Sequence, residues 1–413
     1  MGRRRILVLL VVALGATTIL APGHACTTAV VSGKATPDGR PLLFKHRDSD
    51  AQESRLVYLT DGRYPYIGLV NAGDSSGAEV WVGCNSAGFA IMNSASYNLN
   101  VGDTTKLKDQ EGVLMKRALQ SCATVDDFEQ LLRTLPKPLG VEANFGVIDA
   151  QGGAAYFETG NYGFRKFDAT DPAVAPFGYL IRTNYSFTGE RKQDYGLIRY
   201  TAAEQLFYKA ALSNQLTVEF LTKTVSRCLR HGLTGVDLSK DLPETDDQPT
   251  FVSFADFIPR FSSSASVVVQ GVKPGEPVAL TTMWTMLGFP LCAVAVPVWV
   301  AAGPDLPKVL VADAKGKAPL STAALTLKGR CFPFTRDSGR NYLDLAAVMN
   351  RRGTGILQRV LPVEESIAER VRRSVQQWEQ KGFDAKEAQT LYRWIDATVT
   401  AAYRREFGLI LQD

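Results

Sequence analysis

Cys26 stands where an apolar leader ends and a strand-like run begins. Arg3, Arg4 and Arg5 precede an apolar stretch over 6–20, and the tail Ala21-Pro22-Gly23-His24-Ala25 follows it. These are the charged region, apolar region and small-residue cleavage site of a secretory signal peptide. Cutting after Ala25 makes Cys26 the first residue of the mature chain, so one residue then carries both a thiol and a free α-amine. The thiolate is the attacking form of cysteine. An α-amine with an ordinary pKa of about 7.7–8.0 suits a general base at neutral pH. Nucleophile and base are therefore expected in the same residue. Two other readings use the same cysteine. It is the lipid attachment point of a bacterial lipoprotein, although Gly23 stands where that signal places an aliphatic residue, or it is half of a structural disulfide.

Such a nucleophile needs a cation for the thiolate, an acceptor for the amine and donors for the oxyanion. Lys45-His46-Arg47-Asp48-Ser49-Asp50 ends the hairpin that starts at Cys26, which would return Arg47 and Asp50 to the first residue. Arg47 is expected beside the thiolate and Asp50 beside the amine. The plain alternative is a solvated turn with a surface ion pair. Histidine is scarce: His24 leaves with the leader, and only His46 and His231 remain. His231, in Leu229-Arg230-His231-Gly232, reads as a cation at a helix C-terminus.

Removing residues 1–25 leaves 388 of the 413, enough for one large core or two modest ones. A 45% apolar and 21% charged composition is that of a soluble globular protein. The leader's three arginines account for three of the +4 formal charge, so +1 remains. That balance gives no footing for nucleic acid or an anionic membrane, and no membrane span is expected beyond the leader. Six cysteines (26, 84, 122, 228, 292 and 331) contain no C-x-x-C, which removes zinc and thioredoxin-like readings. No G-x-G-x-x-G, P-loop or G-x-S-x-G is present, and neither cofactor nor metal is expected.

Short strands are expected over 27–32, 42–46, 56–60, 66–71, 80–84 and 89–93, with the turn Pro37-Asp38-Gly39-Arg40 closing the first pair. Helices follow over 113–122 and from the Thr124 cap to Leu135. Strands return over 144–149, 155–159 and 179–183, and helices over 195–212 and 218–231. Residues 237–250 read as an exposed loop, then strands over 266–272, 277–285 and 291–300. After Pro362, Val363, Ile367, Val371, Val375 and Trp378 repeat at helical spacing until Gly382. Asp384 then caps a helix carrying Leu391, Ile395, Val399 and Tyr403 on one face. Glu158 reads as an exposed strand residue. Strand and helix blocks in this order indicate an α+β layered fold rather than a βαβ series.

Cys26-Thr27-Thr28, the turn and strand Asp38-Gly39-Arg40-Pro41-Leu42-Leu43-Phe44, and Arg47-x-x-Asp50 resemble the N-terminal-nucleophile (Ntn) hydrolases. Within them they are similar to the group of penicillin V acylases, bile salt hydrolases and isopenicillin N acyltransferases. The family's motif has an asparagine where this chain has Asp48. Asn85-Ser86-Ala87-Gly88-Phe89-Ala90-Ile91-Met92-Asn93 resembles the family strand that ends in an oxyanion asparagine, and Arg182-Thr183-Asn184-Tyr185 its Thr-Asn motif, whose asparagine lies beside the reacting carbonyl, so that Asn93 and Asn184 with backbone N–H groups are expected to hold the oxyanion. Leu197-Ile198-Arg199-Tyr200 is similar to its helix start with a supporting arginine. The resemblance spans about 26–212, half of the chain. It implies a four-layer αββα sandwich, here with a C-terminal helical extension. The expected organisation is a signal peptide over 1–25, an Ntn-hydrolase domain over 26–361 and C-terminal helices over 362–413 packed on it. Cys26, Arg47, Asp50, Asn93, Asn184 and Arg199 are the implied catalytic set. The implied activity is hydrolysis of a linear amide C–N bond in a small molecule, through a Cys26 thioester, by an exported periplasmic or extracellular bacterial enzyme. An acyltransferase that passes the acyl group to an amine, and a lipid-anchored binding protein, are the alternatives.

Overall fold

The register of the first hairpin decides where Cys26 stands. The computed structural model describes residues 25–191 and 195–411; of the expected signal peptide, all but Ala25 lies outside the described residues. Strand β1 (Thr27–Val31) runs antiparallel to β2 (Leu42–Asp48), with Thr27 opposite His46 and Thr28 opposite Lys45. Next come β3 (Ser54–Leu59), β4 (Tyr66–Asn71), β5 (Val82–Asn85) and β6 (Ala90–Ala95). Helices α1 (Glu111–Ser121) and α2 (Val125–Thr134) precede β7 (Ala143–Ile148), β8 (Ala154–Thr159), β9 (Phe164–Asp168) and β10 (Tyr179–Arg182). Helix α3 (Leu197–Leu212) leads to β11 (Phe251–Ser253), β12 (Ser263–Gln270), β13 (Thr282–Leu287) and β14 (Val296–Val298). The chain ends with α4 (Pro319–Cys331), β15 (Tyr342–Asp344), the single turn α5 (Leu345–Val348), α6 (Ile356–Lys381) and α7 (Ala385–Phe407).

Two antiparallel sheets carry the fold: six strands in the order β10-β1-β2-β12-β13-β14, and seven in sequence order from β3 to β9. Strands β1 and β2 lie against β6 and β7 of the other sheet. Gly146 permits the approach, since a Cβ there would come within 2.8 Å of Val30 Cγ2. The outer face of the seven-stranded sheet is covered by α1 and α2. Leu114, Met115, Leu119, Phe128 and Leu132 pack there on Phe89, Phe145, Val147 and Phe157. A capping box at Thr124 and Asp127 starts α2. A larger core unites the space between the sheets with α3, α4, α6 and α7. Among the described residues, no helix is long and apolar enough to cross a membrane.

Strand β2 departs from an ordinary pattern. All seven of its residues are buried, including the consecutive polar set Lys45, His46, Arg47 and Asp48. The run is interior, not a solvated turn, because β12 pairs along its second edge and the other sheet covers its face. Each of those four side chains must then find partners inside the protein.

Several expected elements shift. Helix α6 begins at Ile356, so Pro362 lies inside it rather than ahead of it. The helix expected over 218–231 turns as a short π-helix, Phe220–Val225, and ends before His231. Only Val296–Val298 of the stretch 291–300 is strand. Arg227 takes the preceding carbonyls, donating to Pro290 O and Ala293 O. The strand expected over 277–285 starts at Thr282, because Val278–Leu280 forms a 3-10 turn after Pro277. Gly382 does end α6, and the Asp384 carboxylate accepts from Lys386 N and Glu387 N at the start of α7. The last two helices seat on the body through Trp378, edge-on to Trp299, and through Tyr403 Oη, which donates to Cys292 O.

Candidate active site

Alternation along β2 sends Lys45 and Arg47 to one face and His46 and Asp48 to the other. On the first face a cavity of about 440 Å³ is lined by Cys26, Lys45, Arg47, Trp81, Asn93 and Tyr97, among others. The Cys26 backbone N–H donates to Asn184 Oδ1 at 3.0 Å; with Ala25 still attached, that nitrogen is a peptide group. Arg199 braces this contact. Its Nη2 donates to Asn184 Oδ1 at 2.7 Å, while Nη1 donates to Cys26 O at 2.6 Å and to Thr27 Oγ1 at 3.0 Å. Asn184 Nδ2 donates to Ala95 O. Gly196, at φ 81°, makes room for this arrangement, since a Cβ there would meet the Arg199 guanidinium.

Arg47 is buried under oxygen acceptors. It donates to Ala51 O and to the side chains of Ser49, Ser54, Ser264 and Asn71. Burial lowers its pKa to about 10 against the opposing pull of Cys26 and Asp48. Lys45 is 1% exposed, and its Nζ donates to Asn93 Oδ1 at 2.6 Å and to Trp81 O at 2.8 Å. Burial lowers its pKa to about 8, again opposed by Cys26. Arg199 is lowered to about 9, chiefly by burial and then by Arg260. Lys45, Arg47 and Arg199 are thus three buried cations that each interact electrostatically with Cys26.

The opposite face of β2 holds the departure at Asp48. Its carboxylate pairs with Arg260 at 2.8 Å and accepts from Ser263 Oγ at 2.7 Å. His46 Nε2 is 2.8 Å from Ser263 Oγ, and burial takes its pKa down to about 4. His46 therefore stays neutral and lies on the strand face away from the Cys26 cavity. His231 accepts from Thr234 N through Nδ1, in a turn beyond the π-helix.

Asp50 is exposed and makes no hydrogen bond or ion pair with any described residue. It lines a neighbouring cavity of about 1070 Å³ together with Ala25, Tyr97, Asn184 and Arg199. Cys26, Arg47, Asn93, Asn184 and Arg199 are thus gathered, whereas Asp50 stands off the Cys26 nitrogen. Glu158 is buried, not exposed. It pairs with Arg182 at 2.7 Å and accepts from Phe187 N and from the Thr188 N–H and hydroxyl. That clamps the segment following Asn184. All six cysteines are free thiols.

The sequence reading passed over Lys45 as a site residue. The signal available was strand period two, which puts it on the same face as Arg47. Glu111 and Glu142 on the cavity wall were also passed over; burial pushes Glu111 up to about 7. Among the described residues, no group of three or more His, Cys, Asp or Glu side chains forms a metal site.

No protein-family model matches the sequence, and no curated protein sequence matches it. Solved structures do. An N-acylethanolamine-hydrolyzing acid amidase ortholog from Caenorhabditis elegans aligns over 47% of this chain and 86% of its own, at 16% identity and a TM-score of 0.36. Penicillin V acylase from Agrobacterium tumefaciens aligns over 66% and 86%, at 13% identity and 0.37. A variant conjugated bile acid hydrolase from Clostridium perfringens aligns over 67% and 93%, at 10% identity and 0.37. These three solved structures are Ntn hydrolases.

Proposed function

We propose that the protein is an exported Ntn hydrolase that cleaves a linear amide C–N bond through a thioester on Cys26. The reading takes the two facing sheets, with helices outside each, as a four-layer αββα sandwich extended by α6 and α7. The observation that carries it is the seat of the Cys26 nitrogen on Asn184 Oδ1, with the side chain in a cavity beside Lys45 and Arg47. Once residues 1–25 are removed, that nitrogen is an α-amine held by an acceptor, which is the posture of a base. The amine takes the thiol proton, and the thiolate attacks the substrate carbonyl. The Asn93 carboxamide donates to the oxyanion, and the amine returns its proton to the leaving nitrogen. Water then releases the acyl group from sulfur. In this reading Asn184 orients the amine, the role the motif suggests for Asp50, and Arg199 holds Asn184 in place.

The test leaves extra residues ahead of Cys26. A form made with a short extension and a protease site keeps every side chain but turns the amine into a peptide nitrogen, which accepts no proton at neutral pH. Turnover of phenoxyacetyl 4-nitroanilide should be absent and should return when the protease exposes Cys26, with both N-termini confirmed by mass spectrometry. An extended form that turns over at the mature rate would refute the amine as base. Retained turnover in Cys26→Ala would refute the nucleophile.

A further inference from the structure

Lys45 is an unusual occupant of a central strand. Among the described residues its ammonium has no carboxylate partner. Both of its contacts are to neutral oxygens, Trp81 O at 2.8 Å and Asn93 Oδ1 at 2.6 Å, and Nζ lies 5.9 Å from the Trp81 ring centre. Such a charge is costly to bury, and an aliphatic side chain would serve packing better. Burial accordingly lowers its pKa to about 8, which leaves the ammonium form dominant at neutral pH.

The geometry constrains Asn93. An ammonium has three donors and no acceptor, so only the oxygen of a carboxamide can face it. With Oδ1 held by Lys45, the two Nδ2 hydrogens are directed elsewhere. Asn93 is 4% exposed, and among the described residues its Nδ2 has no hydrogen-bond partner. The same side chain lines the cavity that holds Cys26. An amide donor without a protein partner, on the wall of a nucleophile's cavity, is a site for a developing negative oxygen.

We propose that Lys45 is a positioning residue that locks the Asn93 carboxamide with its N–H groups toward the oxyanion, and that the lysine is retained for this purpose. The inference rests on the amide-cleavage reading above. Without the ammonium the amide is free to turn by half a rotation, which would present oxygen to the oxyanion and repel it. The contact is made with charge that develops only in the transition state, so its loss falls on kcat and leaves KM nearly unchanged.

The experiment is a double-mutant cycle on Lys45→Met and Asn93→Ala, assayed with phenoxyacetyl 4-nitroanilide. Rapid quench and mass spectrometry would follow acylation of Cys26. Each single variant should lower kcat by about 10²-fold with KM held, as for loss of one oxyanion donor. The double variant should be no slower than Asn93→Ala alone, because Lys45 acts through Asn93. Asn93→Asp supplies a second arm that does not depend on how Lys45→Met folds. It keeps a partner for Lys45 but has no N–H, so it should melt no lower than wild type and still lose about 10²-fold in kcat. Multiplicative losses in the double variant, a Lys45→Met enzyme with wild-type kcat, or an Asn93→Asp enzyme with wild-type kcat would each overturn the proposal. Failure of the underlying reading is separately visible in wild type alone, as turnover without any acyl adduct on Cys26.

Discussion

Acid should destabilise this protein through His46, and the size of the effect follows from where the ring sits. The side chain is fully buried on β2, with Ser263 Oγ 2.8 Å from Nε2, while Nδ1 has no partner among the described residues. Burial is the leading influence. Asp48 opposes it, and Arg260 and Arg199 add to it, taking the pKa from 6.5 to about 4. A folded value below the ordinary one means that the unfolded chain binds the proton more readily. Stability is therefore complete above pH 6.5 and is lost as the pH falls toward 4. The gap corresponds to roughly 3 kcal/mol at 1.36 kcal/mol per tenfold. His46→Gln removes the titration while keeping a polar partner for Ser263. Urea denaturation of both proteins from pH 7.5 to 4 isolates the histidine, since the carboxylates titrate in each. The stability of wild type relative to His46→Gln should fall by about 3 kcal/mol across that window. Parallel curves would refute the claim that this ring is neutral and costly to protonate. The variant should also keep its turnover, because His46 lies on the strand face away from the Cys26 cavity.

Arg227 forms a buried two-bond pair with Glu364, joining the segment after the π-helix to α6. Arg227→Met should cost ~3–5 kcal/mol in urea denaturation by leaving Glu364 buried without its cation, and Arg227→Met/Glu364→Leu should recover most of it. Glu158→Gln strips the carboxylate from Arg182 and from the donors of Phe187 and Thr188. It should cost a similar ~3–5 kcal/mol and increase proteolytic nicking near Asn184, read by limited proteolysis. In the native protein one thiol should react with iodoacetamide at pH 8, and Cys26→Ala should leave none. Cys26 lines a cavity, whereas burial pushes Cys84 and Cys122 up to about 12 and Cys228 up to about 11. Prompt labelling of any other thiol would contradict that burial.

Local signals in the sequence were enough for the hairpin from Cys26, for the two helices on the seven-stranded sheet and for the presence of the final pair of helices. Each is specified within a few residues by a turn, a cap or an apolar stripe. The misreadings come from partners far along the chain. Nothing near Asp48 announces that β12, more than 200 residues away, will pair along β2 and enclose Lys45 to Asp48. Nothing near Glu158 announces Arg182 and the Thr188 amide. The 291–300 stretch has strand composition, but Arg227, from another part of the chain, claims the carbonyls of Ala293 and of Pro290 just ahead of it. Among the gathered site residues, type and spacing pointed to Cys26 and Arg47, and the family resemblance to Asn93, Asn184 and Arg199. The direction of Asn184 was not readable, because the orientation of an amide depends on who faces it: here Arg199 and the Cys26 nitrogen take its oxygen.

The same reasoning explains why the least strand-like part of β2 lies deepest. A run of Lys, His, Arg and Asp has every local reason to leave the core, and a protein that keeps it inside works against burial at each position. Half of the run is compensated in the resting structure: Asp48 has Arg260 and Ser263, and His46 sheds its charge. The other half, Lys45 and Arg47, hydrogen-bonds to neutral acceptors, and among the described residues neither forms an ion pair. Two cations left short of counter-charge beside a thiol are stabilised when that thiol ionises, and again when a carbonyl oxygen beside it becomes an anion. On the proposed reading, the missing negative charge is the one that the reaction itself creates.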